Sequence, residues 1–211
     1  MVITLPEPQK NEHRIIHALF DAGLACLHVR KPLLSGQGIE EFIRGIDRAF
    51  HPKIVLHNHY QWVEKFQLKG GHMSEKYRQS LAQKDRLEKK VKWFKSRRFS
   101  ISSSFHDLSA LKSFKHWFDY AFISPVFDSI SKPGYQANAS LTEVGEIKGI
   151  QKIALGGIDH QNITIVKSWG YDGAAVLGAV WKDPDHAVER FEELNRQANF
   201  TAIRIHNSLK Q

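Results

Sequence analysis

Two short stretches near the C-terminal end of the chain decide the fold: Ile153-Ala154-Leu155-Gly156-Gly157-Ile158 and Gly173-Ala174-Ala175-Val176-Leu177-Gly178. Each contains a nearly continuous apolar run, which is typical of a strand covered on both faces in a parallel sheet. Each run leads into glycine and then into helical spacing, so both stretches predict a strand, a tight turn and a helix. The pattern indicates repeated βα units.

The rest of the chain repeats this alternation of strand-like and helix-like segments. The predicted strands lie at residues 2–5, 24–30, 53–58, 68–73, 99–104, 120–126, 152–158 and 173–180. Eight such units predict an α/β protein, a single (β/α)8 TIM barrel over residues 1–198 with a C-terminal tail at 199–211. The main alternative is an open doubly wound sheet, which usually has a glycine-rich turn after strand 1. The chain has Pro6-Glu7-Pro8 there.

Composition and charge exclude several classes of protein. The chain has 211 residues and a formal net charge of +8, and much of the basic excess lies at residues 84–98. Leu87, Val91 and Phe94 give this segment a helical apolar stripe, so we interpret its cations as a solvated helix face and expect no nucleic-acid partner. We expect no membrane span and no secretory signal, and Cys26 is the single cysteine. Together these features predict a cytoplasmic protein.

The glycines at the ends of strands 7 and 8 are the first candidate site. In barrel enzymes the active site lies at the C-terminal ends of the strands, and phosphate is often held by the loops after strands 7 and 8. Gly156, Gly157 and Gly178 stand at these positions. Small residues let backbone N–H groups approach an anion closely, and a following helix N-terminus adds a favourable dipole. The sequence therefore predicts binding of a phosphorylated small molecule.

Polar residues follow three other strands at the same predicted rim. Strand 2 ends in His28 and Arg30, which share a face, and an arginine at the barrel mouth can grip phosphate oxygens. Strand 5 ends in a serine cluster that includes Ser104. The loop after strand 6 contains Ser129-Ile130-Ser131-Lys132, which offers two hydroxyls and an ammonium group to a phosphate or diphosphate. We expect these side chains to complete the site.

Taken together, these motifs resemble thiamin phosphate synthases and their relatives, the thiazole tautomerases, over nearly the whole chain. The most diagnostic stretch is Ile123-Ser124-Pro125-Val126-Phe127-Asp128-Ser129-Ile130-Ser131-Lys132, because the corresponding motif of the family is P-V-F-x-T-x-T-K. Further likeness lies in Leu27-His28-Val29-Arg30-Lys31 and Ser104-Phe105-His106-Asp107-Leu108. The resemblance implies a transferase of thiamin biosynthesis that joins hydroxymethylpyrimidine diphosphate to a thiazole phosphate and releases pyrophosphate. It also implies a homodimer.

The resemblance assigns roles to individual residues. It implies that Arg30, Ser104 and Lys132 are the catalytic residues that hold the diphosphate. Contacts to the thiazole phosphate, partly through backbone N–H groups, would come from Ser129, Ser131, Gly156, Gly157, Leu177 and Gly178. Further substrate-binding positions match the family's motifs after strands 2 and 3, namely His28, Lys31, His57 and Asn58.

The positions of the family's metal ligands hold other residues. Asn58 stands where the family has an aspartate after strand 3, and Glu75 is the nearest replacement for the aspartate after strand 4. Mg²⁺ prefers hard oxygen ligands, so an Mg²⁺ site here would have to use Asn58 and Glu75. Two alternatives stay open. One is a thiazole tautomerase in which His106 or His72 replaces the relative's histidine at the position of Pro125. The other is a non-catalytic barrel that binds a phosphorylated ligand.

Histidines form a separate group near the ends of strands 3 and 4. His57 and His59 share a strand face, and His72 is predicted one strand over. An H-x-H pattern at a barrel rim can bind Zn²⁺. The sequence offers no evident fourth ligand of the right type, so we interpret these histidines as rim residues that replaced the family's metal carboxylates.

Overall fold

Eight short parallel strands form a barrel in the computed structural model, which describes residues 1–82, 86–128 and 138–198. The strands are β1 (Val2–Ile3), β2 (Leu27–Val29), β3 (Ile54–Leu56), β4 (Gly70–Met73), β5 (Ser100–Phe105), β6 (Tyr120–Ile123), β7 (Gln151–Leu155) and β8 (Gly173–Ala175). They pair in chain order, and a parallel bridge between Val2 and Val176 joins the two ends of the sheet. The predicted (β/α)8 barrel is confirmed, while the predicted tail lies outside the described residues.

Helices connect the strands on the outside of the barrel. The α-helices of the described residues are α1 (Glu12–Asp21), α2 (Gly36–Arg44), α3 (Gln61–Lys65), α4 (Glu75–Ala82), α5 (Leu87–Ser96), α6 (Leu108–Phe114), α7 (Ile163–Ser168), α8 (Gly178–Trp181) and α9 (Ala187–Ala198). Short 3₁₀ segments lie at Arg48–Lys53, Lys115–Trp117, Ala139–Glu146 and Pro184–His186. In place of a regular helix between β6 and β7, the described part of that link contains only a 3₁₀ segment.

Side chains alternate between two hydrophobic regions along β6. Ala121 and Ile123 belong to the large cluster between the sheet and the helices. Tyr120 and Phe122 belong to a smaller cluster that fills the barrel. Because successive residues of a strand point to opposite faces, one strand serves both regions. The inner face of the barrel is therefore defined by the residues in phase with Tyr120.

Strand 8 is shorter than the prediction of residues 173–180. The strand ends at Ala175, and helix α8 begins at Gly178. Trp181, at the end of α8, is buried and its indole N–H donates to the carbonyl of Ile3 at 2.8 Å. A short apolar run suits a buried strand or a buried helix equally well, so periodicity alone did not distinguish them. The strand prediction is wrong at residues 178–180, and Gly178 opens a helix instead.

The basic segment forms the predicted amphipathic helix. In α5 the side chains of Leu87, Val91 and Phe94 are buried, while Lys92 is exposed and pairs with Glu88 at 2.7 Å. Its apolar stripe therefore packs against the barrel. Across the described part of the chain, every helix is too short or too polar to cross a membrane.

Candidate active site

A cavity of about 500 Å³ opens at the carboxyl ends of the strands, and we refer to it as the rim cavity. Its lining comes from the ends of β1, β2, β5, β6, β7 and β8. The lining residues used below are Arg30, Ser104, His106, Ser124, Pro125, Gly156, Gly157, Leu177 and Gly178. The structure thus brings together residues that are separated by up to about 150 positions in the chain, because parallel strands place all their carboxyl ends at one edge.

The end of β7 is built from two glycines with left-handed backbone. Gly156 has φ of +103° and Gly157 has φ of +63°, a region that L side chains rarely adopt. A Cβ on Gly157 would also collide with the carbonyl oxygen of Asp128. Glycine is therefore required at this turn both by conformation and by close packing. The turn brings backbone to the edge of the rim cavity without a side chain in the way.

The end of β8 leaves open space in front of its glycine. Leu177 precedes helix α8, and a Cβ added to Gly178 would meet no atom within 4 Å. Both residues line the rim cavity beside Gly156 and Gly157, since β7 and β8 are paired with Leu155 opposite Ala175. The first N–H groups of a helix have no partner within the helix. This corner of the cavity therefore presents main-chain donors and room for a ligand.

Arg30 and Ser104 lie on the side of the rim cavity formed by β2 and β5. The backbone N–H of Arg30 donates to Thr4 Oγ1 at 2.9 Å, which ties the end of β2 to β1. Its side chain is half-buried, and within the described ranges no carboxylate lies within ion-pair distance of the guanidinium. Ser104 Oγ lies 2.8 Å from His72 Nε2. The cavity therefore combines an unpaired cation and an oriented hydroxyl with the glycine corner.

His106 is a cavity residue that the sequence singled out only as a substitute base. Its Nδ1 lies 2.7 Å from the carbonyl oxygen of Ser124, so Nδ1 must hold the proton and donate. Its Nε2 lies 3.6 Å from the carboxylate of Glu75. The signal in the sequence was its place directly after β5, but only the fold shows that it lines the same cavity as Arg30.

Lys31 does not line the rim cavity, where its predicted role in substrate binding would place it. Its ammonium group is fully buried, lies 2.6 Å from the carboxylate of Glu12 and donates to the carbonyl of Glu7 at 3.0 Å. Burial lowers the pKa of Lys31, and the ion pair with Glu12 opposes that shift. The residue after Arg30 points the other way, and it ties the start of α1 and the loop after β1 to the end of β2.

His28, another predicted substrate-binding residue, lies inside the barrel rather than in the lining of the rim cavity. Its side chain is fully buried. Its Nδ1 lies 3.0 Å from His57 Nε2, and its Nε2 lies 2.9 Å from the hydroxyl of Tyr120. His28 does share the inner face with Arg30, as predicted. It lies two residues deeper, however, where side chains fill the barrel.

The segment that follows β3 and residues of α3, α4 and α5 form a second cavity of about 510 Å³. Its lining residues are His57, Asn58, His59, Tyr60, Gln61, Tyr77, Lys90 and Trp93. Within this lining Asn58 Oδ1 is buried and has no hydrogen-bond partner. The structure therefore places His57 and Asn58 in a different cavity from Arg30 and Ser104.

The described residues do not fit the magnesium site expected from the family. Glu75 forms an ion pair with the buried Arg78 at 3.0 Å, so its charge is already balanced. Asn58 offers one neutral oxygen. Mg²⁺ sites in proteins usually contain one or two free carboxylates plus substrate phosphates. The prediction of an Mg²⁺ site made by Asn58 and Glu75 is therefore not supported by the donor set.

Three imidazoles meet in the barrel interior below the rim cavity. The ligand nitrogens of His28, His57 and His72 all lie within 4.8 Å of one another. His72 is also held on both sides, with Nδ1 at 2.8 Å from Ser102 Oγ and Nε2 at 2.8 Å from Ser104 Oγ. Burial holds the pKa of His28 and of His57 well below the ordinary value and lowers that of His72 to about 3. All three rings are therefore neutral at physiological pH.

Three predicted site residues cannot be placed. Ser129, Ser131 and Lys132 lie outside the described residues.

The fold and the rim cavity define the chain as a (β/α)8 barrel with a pocket where barrel enzymes bind their small-molecule substrates. The sequence model of the thiamine monophosphate synthase family matches residues 1–180. The chain therefore belongs to the thiamine monophosphate synthase family, whose members are transferases. The family resemblance predicted from the motifs is confirmed.

Individual relatives agree with this assignment. The chain is 23% identical over 195 residues to the thiamine-phosphate synthase of Lysinibacillus sphaericus, covering 86% of this chain and 87% of the relative. A thiamine phosphate pyrophosphorylase structure from Bacteroides thetaiotaomicron is 28% identical with a TM-score of 0.73, covering 93% of this chain and 95% of that one. One from Pyrococcus furiosus is 19% identical with a TM-score of 0.76 over 93% of each chain, which supports the fold. The tautomerase alternative is not favoured by these matches.

Proposed function

We propose that this protein is a thiamin phosphate synthase that joins hydroxymethylpyrimidine diphosphate to a thiazole phosphate and releases pyrophosphate. The observation that supports the proposal best is the composition of the rim cavity. One cavity combines Arg30 and Ser104 on one side with the glycine ends of β7 and β8 on the other. A reaction between a diphosphate and a monophosphate needs two anion-binding regions that face a common space.

The thiazole phosphate would bind at the glycine corner. Gly178 opens α8 with free space in front of it, and Gly156 and Gly157 bring backbone to the same edge. Hydrogen bonds from backbone N–H groups to an anion are charge-assisted and stronger than those between neutral groups. This corner resembles the phosphate site that barrel enzymes build after strands 7 and 8. It would hold the nucleophilic thiazole with its ring nitrogen facing the cavity.

The diphosphate would bind on the opposite side, where Arg30 can make two parallel hydrogen bonds to phosphate oxygens and Ser104 can donate a third. By likeness to the family, Lys132 would also contact the diphosphate. In the reaction the carbon–oxygen bond to the diphosphate breaks, and its electron pair leaves with the diphosphate. The thiazole nitrogen then donates its lone pair to the pyrimidine methylene carbon. Cations placed beside the departing oxygens stabilise the charge that develops there.

The protein's remaining contribution is to position the two substrates. Holding two reactants at contact distance removes much of the entropic cost of their encounter. Ser104 is half-buried and its Oγ lies 2.8 Å from His72 Nε2, so a His72 ring that carries its proton on Nε2 donates to this oxygen and leaves the serine hydroxyl hydrogen for the diphosphate. The homodimer and the cytoplasmic location stay predictions from the family resemblance and the composition.

An assay with both precursors tests the proposal. Purified protein is incubated with hydroxymethylpyrimidine diphosphate and thiazole phosphate, once with Mg²⁺ and once with a chelator, and thiamin phosphate and pyrophosphate are quantified by chromatography. We expect equal amounts of the two products and their loss in Arg30→Ala. Binding of thiazole phosphate by calorimetry without any turnover would instead identify a non-catalytic ligand-binding barrel and contradict the proposal.

A further inference from the structure

We propose that His28, His57 and His72 form a binding site for a divalent transition-metal ion of the zinc class in the barrel interior, below the rim cavity. This histidine site is separate from the Asn58 and Glu75 positions discussed above. It does not depend on the proposed synthase reaction.

The first argument is convergence. The ligand nitrogens of the three histidines lie within 4.8 Å of one another, and His28 Nδ1 is 3.0 Å from His57 Nε2. Histidine nitrogens bound to zinc lie about 2.0–2.1 Å from the ion, so neighbouring ligand nitrogens of one tetrahedral ion are separated by roughly 3.3 Å. Rotations of the rings, including those of His57 and His72 whose centroids now lie 4.4 Å apart, would bring the three nitrogens onto one ion. Three histidines plus one exchangeable position form a recurrent zinc arrangement.

The second argument is the set of groups behind the rings. A metal-bound histidine usually has its other ring nitrogen hydrogen-bonded to a protein group that fixes its orientation. His28 has such a partner in the hydroxyl of Tyr120, at 2.9 Å from Nε2. His72 has one in Ser102 Oγ, at 2.8 Å from Nδ1. These partners leave His28 Nδ1 for the common centre, and His72 can offer Nε2 once its contact with Ser104 Oγ at 2.8 Å is displaced.

The third argument is the chemical state of the rings. Metals bind the neutral imidazole, and the hydrogen-bond partners of these rings are other imidazoles and hydroxyls rather than carboxylates that would favour a protonated ring. Nitrogen donors suit zinc, cobalt and nickel, whereas Mg²⁺ prefers oxygen. Because three neutral ligands leave the ion with its full charge, the fourth ligand should be an anion such as hydroxide.

Both cavities provide a route to the site. His57 is half-buried and lines the second cavity. On the other side Ser104 lines the rim cavity and contacts His72 Nε2 at 2.8 Å. An ion entering from either side would displace the hydrogen bonds His28–His57 and His72–Ser104. Its open position would then face Ser104 and the rim cavity.

Metal titration of the full chain without an affinity tag tests the site. Chelator-treated protein is titrated with Co²⁺ while the visible spectrum is recorded, and bound Zn²⁺ is measured by elemental analysis after dialysis. We expect a single equivalent of metal, intense visible bands typical of four-coordinate Co²⁺, displacement of Co²⁺ by Zn²⁺ and no displacement by excess Mg²⁺.

Variants separate this site from surface histidines. His57→Ala removes a ligand at the half-buried edge, and we expect it to weaken Zn²⁺ binding by at least about 100-fold. Tyr120→Phe removes the hydrogen bond behind His28, together with the contact of the same hydroxyl to Ser102, and should weaken binding about 10- to 100-fold. His59→Asn is the matched control, because His59 lies two residues from His57 outside the cluster, and Asn tolerates its positive φ of 51°.

Two outcomes would overturn the proposal. One is octahedral, weak Co²⁺ binding that His57→Ala leaves unchanged, which would assign the metal to exposed histidines. The other is no binding by chelator-treated protein whose circular dichroism matches that of the untreated chain. The cluster would then be a metal-free hydrogen-bond network.

Discussion

The two sides of the barrel mouth are built on different principles. At the ends of β7 and β8 the site consists of backbone, with Gly156 and Gly157 in left-handed conformation and Gly178 at the start of a helix. After β3 it consists of side chains, with His57 beside the Asn58 amide, whose oxygen lacks a hydrogen-bond partner. The first side keeps the arrangement expected of the family, whereas the second has lost the expected metal carboxylates.

The difference shows which kind of site tolerates sequence change. A backbone site needs only small residues and a particular chain path, so neighbouring side chains can vary while the donors stay in place. A metal site made of side chains changes its chemistry with a single substitution, because an aspartate and an asparagine differ in charge. The four predictions below separate these two regions, from the largest expected effect to the smallest.

Acidification should destabilise the β3–β4 side most strongly. In metal-free protein the folded-state pKa values of His28, His57 and His72 are lowered, while the unfolded chain binds protons near pH 6.5. The free energy of unfolding therefore has its full value above about pH 6.5. It falls as the pH decreases, by about 1.4 kcal/mol per pH unit for each ring that stays neutral in the folded protein. For His72 this continues to about pH 3. Urea unfolding at several pH values measures the slope.

The control for this prediction is His59→Asn, which should leave the slope unchanged. The groups that face the cluster also favour neutral rings, since Arg30 acts on His57, and Lys69 and the N-terminal amino group act on His28. A stability that stays constant between pH 7 and pH 5 would show that the rings are protonated in the fold, contrary to this account.

Arg30→Ala should reduce synthase activity by about 100- to 1000-fold in kcat. The expected size is that found when one preorganised donor to a developing negative charge is removed. The guanidinium is half-buried, so its loss should leave the melting temperature nearly unchanged. Arg14→Ala, at an exposed position of α1, is the matched control and should retain full activity. Equal activity of the two variants would remove Arg30 from the proposed site.

Gly178→Val should weaken binding of the thiazole phosphate about 10- to 100-fold, which corresponds to the loss of a hydrogen bond to a charged group. The added side chain would stand in open space of the rim cavity, so the fold should remain intact. Calorimetry with the thiazole phosphate measures the affinity, and KM in the assay should rise accordingly. Unchanged affinity would place the phosphate elsewhere.

Gly157→Ala should lower the free energy of unfolding by about 1–3 kcal/mol, because alanine is strained at φ of +63° and its Cβ would collide with the backbone of Asp128. Gly23→Ala provides the comparison, since φ is +92° there but a Cβ meets no atom within 4 Å. Denaturant unfolding of both variants separates the cost of the strained backbone φ from the cost of the steric collision. A smaller loss in Gly157→Ala than in Gly23→Ala would contradict the tight packing described for this turn.

The amino-acid sequence determined the barrel, the family and the position of the glycine corner. Alternating apolar runs and helical spacing are local signals, and a parallel barrel places every strand end at one edge. From these rules alone, Arg30, Ser104 and Gly157 were predicted to meet. The strand predicted at residues 178–180 failed because a short apolar run has the same composition in a buried strand and in a buried helix.

Only the tertiary structure decided what the polar residues next to the strand ends do. Lys31 follows Arg30 directly, yet it turns to the buried carboxylate of Glu12. His28 lies two residues before Arg30 on the same face, yet it sits below the cavity against His57. Such roles depend on depth in the barrel and on partners that are distant in the chain. No local pattern encodes them, because a buried charge or imidazole takes its properties from the groups that the fold packs around it.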